Sequence, residues 1–517
     1  MAAQLRDMAV ADVRSSSRPA DARLLLEREQ FDIVLCSREF DDPDATGQDL
    51  VDELRREQLL PHATVFIMVV TQATYTEVTE AGEASLDGVL LRPYTATALS
   101  ERIIEARRRK AELAELFDAL AQGLDERAIE LCLTRWRRAD SYALYAARVA
   151  TELMLRRGDS LALLRLCEDV RSRFSAPWAR LAVVRSLLQR GEIVAARKTC
   201  ETLVKDEPTY ADALEALGRI HLDSGDVAGA MAAYRSAVEL TPGCLLRAQA
   251  CGTLAFYAGE PRLAAAMLER CVSLGIRSRL FDGLTLLILT VLRLDGGTVK
   301  AVAAAAEQMH RYAERFGKSR RLAAFDRAAA VLWRVARDEL DAAHAGAREL
   351  ANDVEADEAS LEDAIVALAV WSRLPSRDTS AGELEQVVRS IARRFCVSKS
   401  MTELLSAASA RNPLVVTMVK ACAQDMAEFL TGAVNQSVAG QPHKAVTALL
   451  ERGHQTRNAK LLEAAVALAR KHAAELPDSA ELIASGTAAL ARACQPVTLV
   501  AGIRRTGRTA GGLVLRS

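Results

Sequence analysis

The sequence is poor in aromatic residues and carries almost no net charge. Phenylalanine, tryptophan and tyrosine together make up 4% of the 517 residues, whereas 50% of the residues are hydrophobic. A high apolar content with many alanines and few rings favours closely packed helices over sheets. A chain of this length exceeds what one hydrophobic core can hold, so we expect several domains, or one domain followed by an array of repeats.

The charge balance and the hydropathy exclude two classes of partner. There are 67 basic and 68 acidic residues, which give a net charge of -1, whereas a dedicated nucleic-acid binder needs a basic stripe. The longest apolar stretch, from Leu284 to Leu292, is too short to span a bilayer. Residues 1–10 lack the hydrophobic segment of a secretory signal. We expect a soluble cytoplasmic protein that binds neither nucleic acid nor membrane.

No arrangement of cysteine or histidine predicts chemistry. The sequence contains ten cysteines but no CxxC pair, so we expect buried free thiols rather than a zinc site. The seven histidines are scattered at spacings that suit no metal. A tail segment from Gly502 to Thr509 has phosphate-loop spacing, but Arg508 stands where that loop needs lysine. We therefore predict no metal, no cofactor and no enzymatic activity.

A repeat of 34 residues organises the middle of the chain. Glycines precede three of its alanines by five residues, and prolines follow two of the units at Pro208 and Pro242. Small residues at helix crossings, a turn glycine and a terminating proline predict stacked helical hairpins. The alanines that share this interval are Ala128, Ala162, Ala196, Ala230 and Ala264.

The first hundred residues follow a different pattern. Short apolar runs at 31–36, 64–71 and 86–95 alternate with amphipathic helical stretches. Buried strands alternating with helices predict a doubly wound parallel sheet.

The order of these strands, with Thr71 ending one and Arg92-Pro93 following the next, resembles the receiver domain of bacterial response regulators. The resemblance covers residues 1–108 and implies a flavodoxin-like α/β fold. It also implies that Ser37 occupies the position of the aspartate nucleophile, where a hydroxyl cannot form an acyl phosphate. Arg92 replaces the lysine that contacts the phosphoryl group, and Val89 replaces an aromatic switch residue.

The acidic pair and the first strand of a receiver are also missing. The chain begins where the first helix of such a domain should be ending, so we expect a degenerate domain without its first strand, or a start upstream of Met1. The nearby loop carboxylates are open to two interpretations, substitute metal ligands or solvated side chains, and we favour the second. They are Asp41, Asp42 and Asp44.

The repeats resemble tetratricopeptide repeats. The unit from Ala211 to Pro242 carries Leu217-Gly218, Gly225 and Tyr234 at the positions typical of that family. The resemblance implies an all-α solenoid over residues 109–275. Residues 276–494 remain helical without the regular period, so we expect irregular hairpins that continue the solenoid. Residues 495–517 are rich in glycine and arginine, and we expect a disordered tail.

Together these patterns predict a non-enzymatic bacterial signalling adaptor, in which a pseudo-receiver precedes a scaffold that binds another protein. The alternative is a phosphorylation-controlled two-component response regulator with the repeats as its output, and Ser37 disfavours it. A third reading, a nucleotide-dependent enzyme, would depend on the tail motif alone.

The family resemblance also implies a partner-binding groove along the first helices of the repeats, suited to a peptide or helix. Charged members of the groove are expected to face solvent or a ligand. The aromatic and leucine positions are equally compatible with packing between units. The groove positions are Trp178, Leu181, Arg185, Asp212, Glu215, Arg219, Gln249, Thr253, Phe256 and Tyr257.

Overall fold

The computed structural model describes residues 2–8, 10–40, 47, 50–51, 54, 59–61, 63–71, 87–276, 280–317, 319–375, 381–493, 499–500 and 503–504. The predictions for Asp41, Asp42 and Asp44 therefore lie outside the described residues, as does most of the tail, including Arg508. Two short pieces of that tail, β4 (Leu499–Val500) and β5 (Ile503–Arg504), pair antiparallel.

A three-stranded parallel sheet forms near the N-terminus, as the apolar runs predict. Its strands are β1 (Ile33–Ser37), β2 (Val65–Val70) and β3 (Gly88–Leu91), in the order β1-β2-β3. All six side chains of the central strand β2 are buried, as expected for a parallel sheet covered on both faces. Within the described residues, no strand pairs with the other edge of β1.

Helices cover both faces of this sheet. Phe66, Met68 and Val70 of β2 pack beneath α2 (Pro19–Arg28) and the buried side chains at positions 50, 51 and 54. The alternate residues of β2 pack against α3 (Ala96–Glu112) and against the end of α1 (Ala2–Asp7). The layered α/β arrangement predicted from the sequence is thus confirmed.

The remainder of the described chain is helical. The helix α3 runs past position 108, the predicted domain boundary, and leads directly into the solenoid. The first ten helices that follow are α4 (Ala114–Ala121), α5 (Asp125–Arg138), α6 (Ala143–Arg157), α7 (Ser160–Arg173), α8 (Pro177–Gln189), α9 (Ile193–Asp206), α10 (Ala211–Asp223), α11 (Val227–Leu240), α12 (Leu245–Tyr257) and α13 (Pro261–Gly275).

After residue 280 the chain continues as helices that pack against their neighbours in sequence. They are α14 (Leu284–Gly296), α15 (Val299–Phe316), α16 (Arg320–Ala336), α17 (Leu340–Glu355), α18 (Leu361–Trp371), α19 (Ala381–Phe395), α20 (Lys399–Ala408), α21 (Pro413–Val438), α22 (Pro442–Thr456), α23 (Ala459–Lys471) and α24 (Ser479–Ala493). Among the described helices, none combines the length and the apolar content needed to cross a membrane.

The first helix of each pair contacts both its own partner and the first helix of the next pair. This holds for α6 with α8, for α8 with α10, and for α12 with α14. In a curved solenoid the helices on the concave side lie closer together than those on the convex side. The first helices therefore line the concave side. The nine cysteines that the structure describes are buried free thiols, and burial raises the pKa of Cys132 to about 12.

The turn glycines of the repeat adopt left-handed backbone conformations. Gly191, Gly225 and Gly259 have φ angles of 75°, 77° and 78°, and Gly440 in the later helices has 81°. Residues with a Cβ rarely adopt such angles. The glycine component of the repeat is therefore a requirement of the backbone at the turn between the two helices of a pair.

A matched pair of substitutions tests this requirement. Gly191→Ala should lower the free energy of unfolding by about 1–2 kcal/mol, because its Cβ meets no atom within 4 Å and only the backbone angle opposes it. Gly432→Ala should raise it by about 0.5–1 kcal/mol, because Gly432 lies inside α21 with equally open surroundings. Urea unfolding followed by circular dichroism measures both. Equal effects of the two substitutions would refute the backbone argument.

The 26-residue helix α21 interrupts the alternation of short helices. Its first half contributes Val415 and Val419 to the large core that begins at α10. Its second half contributes Met426 and Ala433 to a separate core with α22, α23 and α24. One continuous helix thus contributes to two successive cores at this point of the array.

Candidate functional site

The carboxyl edge of the N-terminal sheet gathers the residues predicted at a phosphoacceptor site. Ser37 ends β1, Thr71 follows β2, and Arg92 follows β3. The strands hold this alignment through backbone bonds, since Arg38 N donates to Val69 O at 2.9 Å and Arg92 N to Val70 O at 2.8 Å. The peptide bond between Arg92 and Pro93 is cis. The structure therefore brings Ser37, Thr71, Arg92 and Pro93 to one edge.

The groups at this edge are a hydroxyl pair, a carboxylate and a guanidinium. The Thr71 hydroxyl donates to Glu39 Oε2 at 3.1 Å. Thr71 and Arg92 are exposed and Ser37 is half-buried. Among the described residues, no group of three metal-ligating side chains lies close enough to hold an ion. At the nucleophile position itself the edge offers a serine oxygen.

A buried carboxylate that the sequence did not point to joins the sheet to the helices. Asp87 precedes β3, and its side chain is 5% exposed. Its Oδ2 accepts from Phe66 N at 2.8 Å, and its other oxygen pairs with Arg109 and, at 3.2 Å, with Lys110. Both cations belong to the basic end of α3. Asp87 thus links the central strand to the helix that enters the solenoid.

The same helix makes the first contacts with the repeats. Tyr142 Oη donates to Glu105 Oε1 at 2.9 Å, and the Arg109 guanidinium lies 5.6 Å from the centre of the Tyr145 ring. Lys110 lies over the ring of Phe117. The sheet, α3 and the first helices of the array therefore form a connected chain of polar and cation–π contacts.

The predicted groove positions on α8 and α10 lie on the concave side but differ in exposure. Leu181 is fully buried, whereas Trp178 and Arg185 are half-buried. Arg185 lies 3.9 Å from Glu152 of the preceding first helix. Arg219 pairs with Asp223 on its own helix at 3.3 Å, and its side chain is 18% exposed. The surface from α6 to α10 is the part of the predicted groove that stays accessible.

Asp212 and Glu215 do not face an open groove, which corrects the expectation for those charges. Asp212 is 6% exposed, and Arg247 of α12 is 1% exposed. Arg247 Nη2 donates to Asp212 Oδ1 at 2.6 Å, and its Nε donates to Glu215 Oε2 at 3.1 Å. Asp212 is buried and Glu215 half-buried because a cation one repeat later neutralises them inside the solenoid.

The third unit of the predicted groove is likewise occupied by the protein itself. Gln249 is buried, donates to Leu280 O at 3.1 Å and accepts from Asp282 N at 2.7 Å. Thr253 and Tyr257 are buried and Phe256 is half-buried in the same core. Burial raises the pKa of the Tyr257 hydroxyl. These four positions pack between helices. For Phe256 and Tyr257 this is the second of the two interpretations left open by the sequence. For Gln249 and Thr253 it corrects the prediction that they line an open groove.

Two features close this stretch of the concave face. Arg321 of α16 pairs with Asp282 at 2.8 Å and with Glu362 of α18. Burial raises the pKa of the Glu362 carboxyl, and the Arg321 guanidinium opposes that shift. In addition, α20 curls back against α11 and α12, and β5 lies against α12. From α12 onward the first helices are therefore enclosed.

Comparison with known proteins divides the chain in the same way. The N-terminal part is similar to chemotaxis protein CheY-3 of Vibrio cholerae, which is 27% identical over 99 residues, 19% of this chain and 74% of that protein. Chemotaxis protein CheY of Pseudomonas aeruginosa is 29% identical over 99 residues, 19% of this chain and 77% of that protein.

The helical part is similar to a repeat family. A family model described as tetratricopeptide repeat matches residues 181–243. Among solved structures, a chain from the crystal structure of the APC/C hetero-tetramer Cut9-Hcn1 aligns with 64% of this chain and 57% of its own length, at 14% identity and a TM-score of 0.32.

Proposed function

Because the chain joins a CheY-like receiver region to a tetratricopeptide-repeat scaffold, we propose that it is a non-enzymatic bacterial signalling adaptor of the cytoplasm. In this proposal the receiver-like domain accepts no phosphoryl group, and the repeats bind another protein. The observation that supports it most is Ser37 at the carboxyl end of β1, the position where a receiver carries its nucleophilic aspartate.

The chemistry of a serine at that position supports the adaptor over the regulator. Phosphoryl transfer to a receiver forms an acyl phosphate on a carboxylate, with a metal ion shielding the developing charge. A serine hydroxyl is a far weaker nucleophile unless an adjacent base activates it. In the described edge, the carboxylate of Glu39 accepts a hydrogen bond from Thr71.

The runner-up function is a phosphorylation-controlled response regulator with the repeats as its output. Two observations favour it, namely that Thr71 and Arg92 remain at the carboxyl edge beside Ser37, and that Asp87 connects this sheet to the helix entering the solenoid. These contacts would transmit a change at the edge to α3. They do not supply the missing carboxylate at position 37.

A labelling experiment separates the two functions. The purified chain should take up no phosphate from acetyl phosphate or from a phosphorylated histidine kinase, with or without Mg²⁺, while a CheY protein in the same reaction is labelled. Ser37→Asp alone should not restore labelling, because the receiver-type acidic pair has no counterpart in the sequence. Stable Mg²⁺-dependent labelling of the unmodified chain would refute the adaptor function and support the phosphorylation-controlled regulator.

The proposed partner site is the accessible concave surface from α6 to α10, which we call the N-terminal ridge, formed by Trp178, Arg185 and Arg219. Half-buried arginines beside an aromatic edge are typical of surfaces that bind a peptide or a helix through a few strong contacts. The enclosed positions from α12 onward take no part in this proposal.

Removing two charges from the ridge tests the site. Arg185→Ala with Arg219→Ala should weaken binding of the partner recovered with the full chain by at least tenfold. Arg219 pairs with Asp223 and Arg185 lies 3.9 Å from the buried Glu152, so the double variant should lose some stability, and binding is compared well below its melting temperature. Arg171→Ala with Arg197→Ala is the matched control, since both arginines are exposed on second helices and pair within their own helix. Equal binding by both double variants places the partner elsewhere.

A further inference from the structure

An arginine-rich cleft lies in the later part of the array, between the helices α19 and α22. It encloses about 580 Å³, and the end of α17 forms its third wall. Among the described residues that line it, five arginines and two glutamates are the ionisable ones. The donor side chains that line the cleft include Gln386, Arg389, Arg393, Arg394, Arg452 and Arg457.

The positive charges in this cleft exceed what the protein neutralises. The Glu385 carboxylate pairs with Arg389 at 2.7 Å, and Glu355 Oε1 accepts from the Ser390 hydroxyl at 2.6 Å. Among the described residues, the Arg393 guanidinium has neither an ion pair nor a hydrogen bond, and Arg452 Nε is buried without a hydrogen-bond partner.

The remaining two arginines shape the wall of the cleft. Arg394 is 8% exposed, and it donates to Val354 O at 2.7 Å and to Asp357 O at 3.0 Å, which fixes its guanidinium at the end of α17. Burial, and then the neighbouring charge of Arg457, lowers the pKa of Arg394. Positive charges are therefore crowded together here, at a cost that a bound anion would offset.

We propose that this cleft binds a small molecule that carries more than one phosphate group. Guanidinium groups present planar forks of donors that match phosphate oxygens, and they bind them in pairs of charge-assisted bonds. The amide and hydroxyl side chains of Gln386, Gln455 and Thr456 add further polar groups to the walls. The volume is in the range of small-molecule sites, about 300–1,000 Å³.

A protein partner fits the cleft less well. Stable protein interfaces use buried aromatic and apolar anchors at their centre. Two aromatic side chains beside the cleft, Phe395 and Phe429, already lie beneath guanidinium groups. The charge of Arg394 is 5.0 Å from the centre of the Phe395 ring, and that of Arg452 is 5.6 Å from the centre of the Phe429 ring. The walls are otherwise polar and charged, and they suit a compact anion rather than an extended peptide.

The long helix α21 runs from one core to the next beside this cleft. Its first half belongs to the large core and its second half to the separate core with α22, α23 and α24. Both α19 and α22 pack against α21, and the cleft lies between them.

Calorimetric titration of the full chain with inorganic tripolyphosphate tests the proposal. Arg393→Ala with Arg452→Ala should weaken binding at least tenfold. Within the protein this double variant loses the contact of Arg452 with the Phe429 ring. The control pair Arg171→Ala with Arg197→Ala removes the same charge elsewhere and should change affinity less than twofold. Arg393→Lys keeps the charge but loses the fork, so it should also weaken binding.

Two results would overturn the proposal. One is tripolyphosphate binding that is absent from the parent chain or equal in the two double variants. The other is binding of a poly-glutamate peptide, but not tripolyphosphate, that depends on Arg393 and Arg452, which would make the cleft a protein interface. If the double variant fails to fold by circular dichroism, the exposed Arg389→Glu reverses one charge at the rim and should weaken tripolyphosphate binding by the same criterion.

Discussion

Replacement of Arg247 by methionine should lower the free energy of unfolding of the solenoid by about 3–5 kcal/mol. The side chain of Arg247 is 1% exposed and joins two carboxylates of the preceding first helix, Asp212 and Glu215. Methionine fills a similar volume but removes the cation that pairs with both carboxylates. The cost is that of the stranded charges, since no large cavity is formed.

A neutral triple variant distinguishes charge from packing. Arg247→Met combined with Asp212→Asn and Glu215→Gln removes the stranded charges and should recover most of the lost stability, because buried ion pairs contribute little beyond a well-packed neutral set. Urea unfolding followed by circular dichroism at 222 nm measures all variants. If the triple variant is as unstable as Arg247→Met alone, the loss comes from packing around Arg247.

The polar pairs of the concave face follow a spacing that is visible in the sequence. In a solenoid, residues one period apart on first helices are neighbours. Asp212 and Arg247 are 35 residues apart, and Gln249 and Asp282 are 33 apart. Opposite charges at one-period spacing therefore predict internal pairs. Asp212 was predicted to face the groove from its position within one repeat. That prediction did not take into account Arg247, which lies one repeat later.

The N-terminal domain was predictable for a different reason. Its strands are short continuous apolar runs, and the parallel order of the three strands brings Ser37, Thr71 and Arg92 to one edge as expected. Asp87 was missed because its partners, Arg109 and Lys110, lie in a basic helical stretch that reads as a solvated surface. Only the packing of α3 on the sheet brings those cations to a buried carboxylate.

The enclosure of the later helices could not be derived from local pattern. The curvature of a solenoid is the sum of small rotations at every repeat. The sequence of a single repeat therefore does not show which distant helices will come into contact. The contact of α20 with α11 and α12 joins segments separated by seven or eight helices. The burial of Gln249, Thr253 and Tyr257 depends on that closure and on the loop at Asp282.

Ala230→Leu should lower the free energy of unfolding by about 1–3 kcal/mol, because it overpacks the crossing of α10 and α11. Ala230 is fully buried. On the facing helix, a Cβ added at Gly218 would lie 2.6 Å from the Tyr234 ring and 3.3 Å from Ala230 O, so the two backbones already approach as closely as their atoms allow. Leucine has no space between them.

The matched control is Ala232→Leu, an exposed position on the same helix α11. Alanine and leucine have similar helix propensity, so this variant should stay within about 0.5 kcal/mol of the parent. Differential scanning calorimetry and urea unfolding measure both variants. Because the repeat places alanine at every such crossing, Ala196→Leu should reproduce the loss. Equal stability of Ala230→Leu and Ala232→Leu would mean that the crossing relaxes freely and that close approach of the helices does not select alanine there.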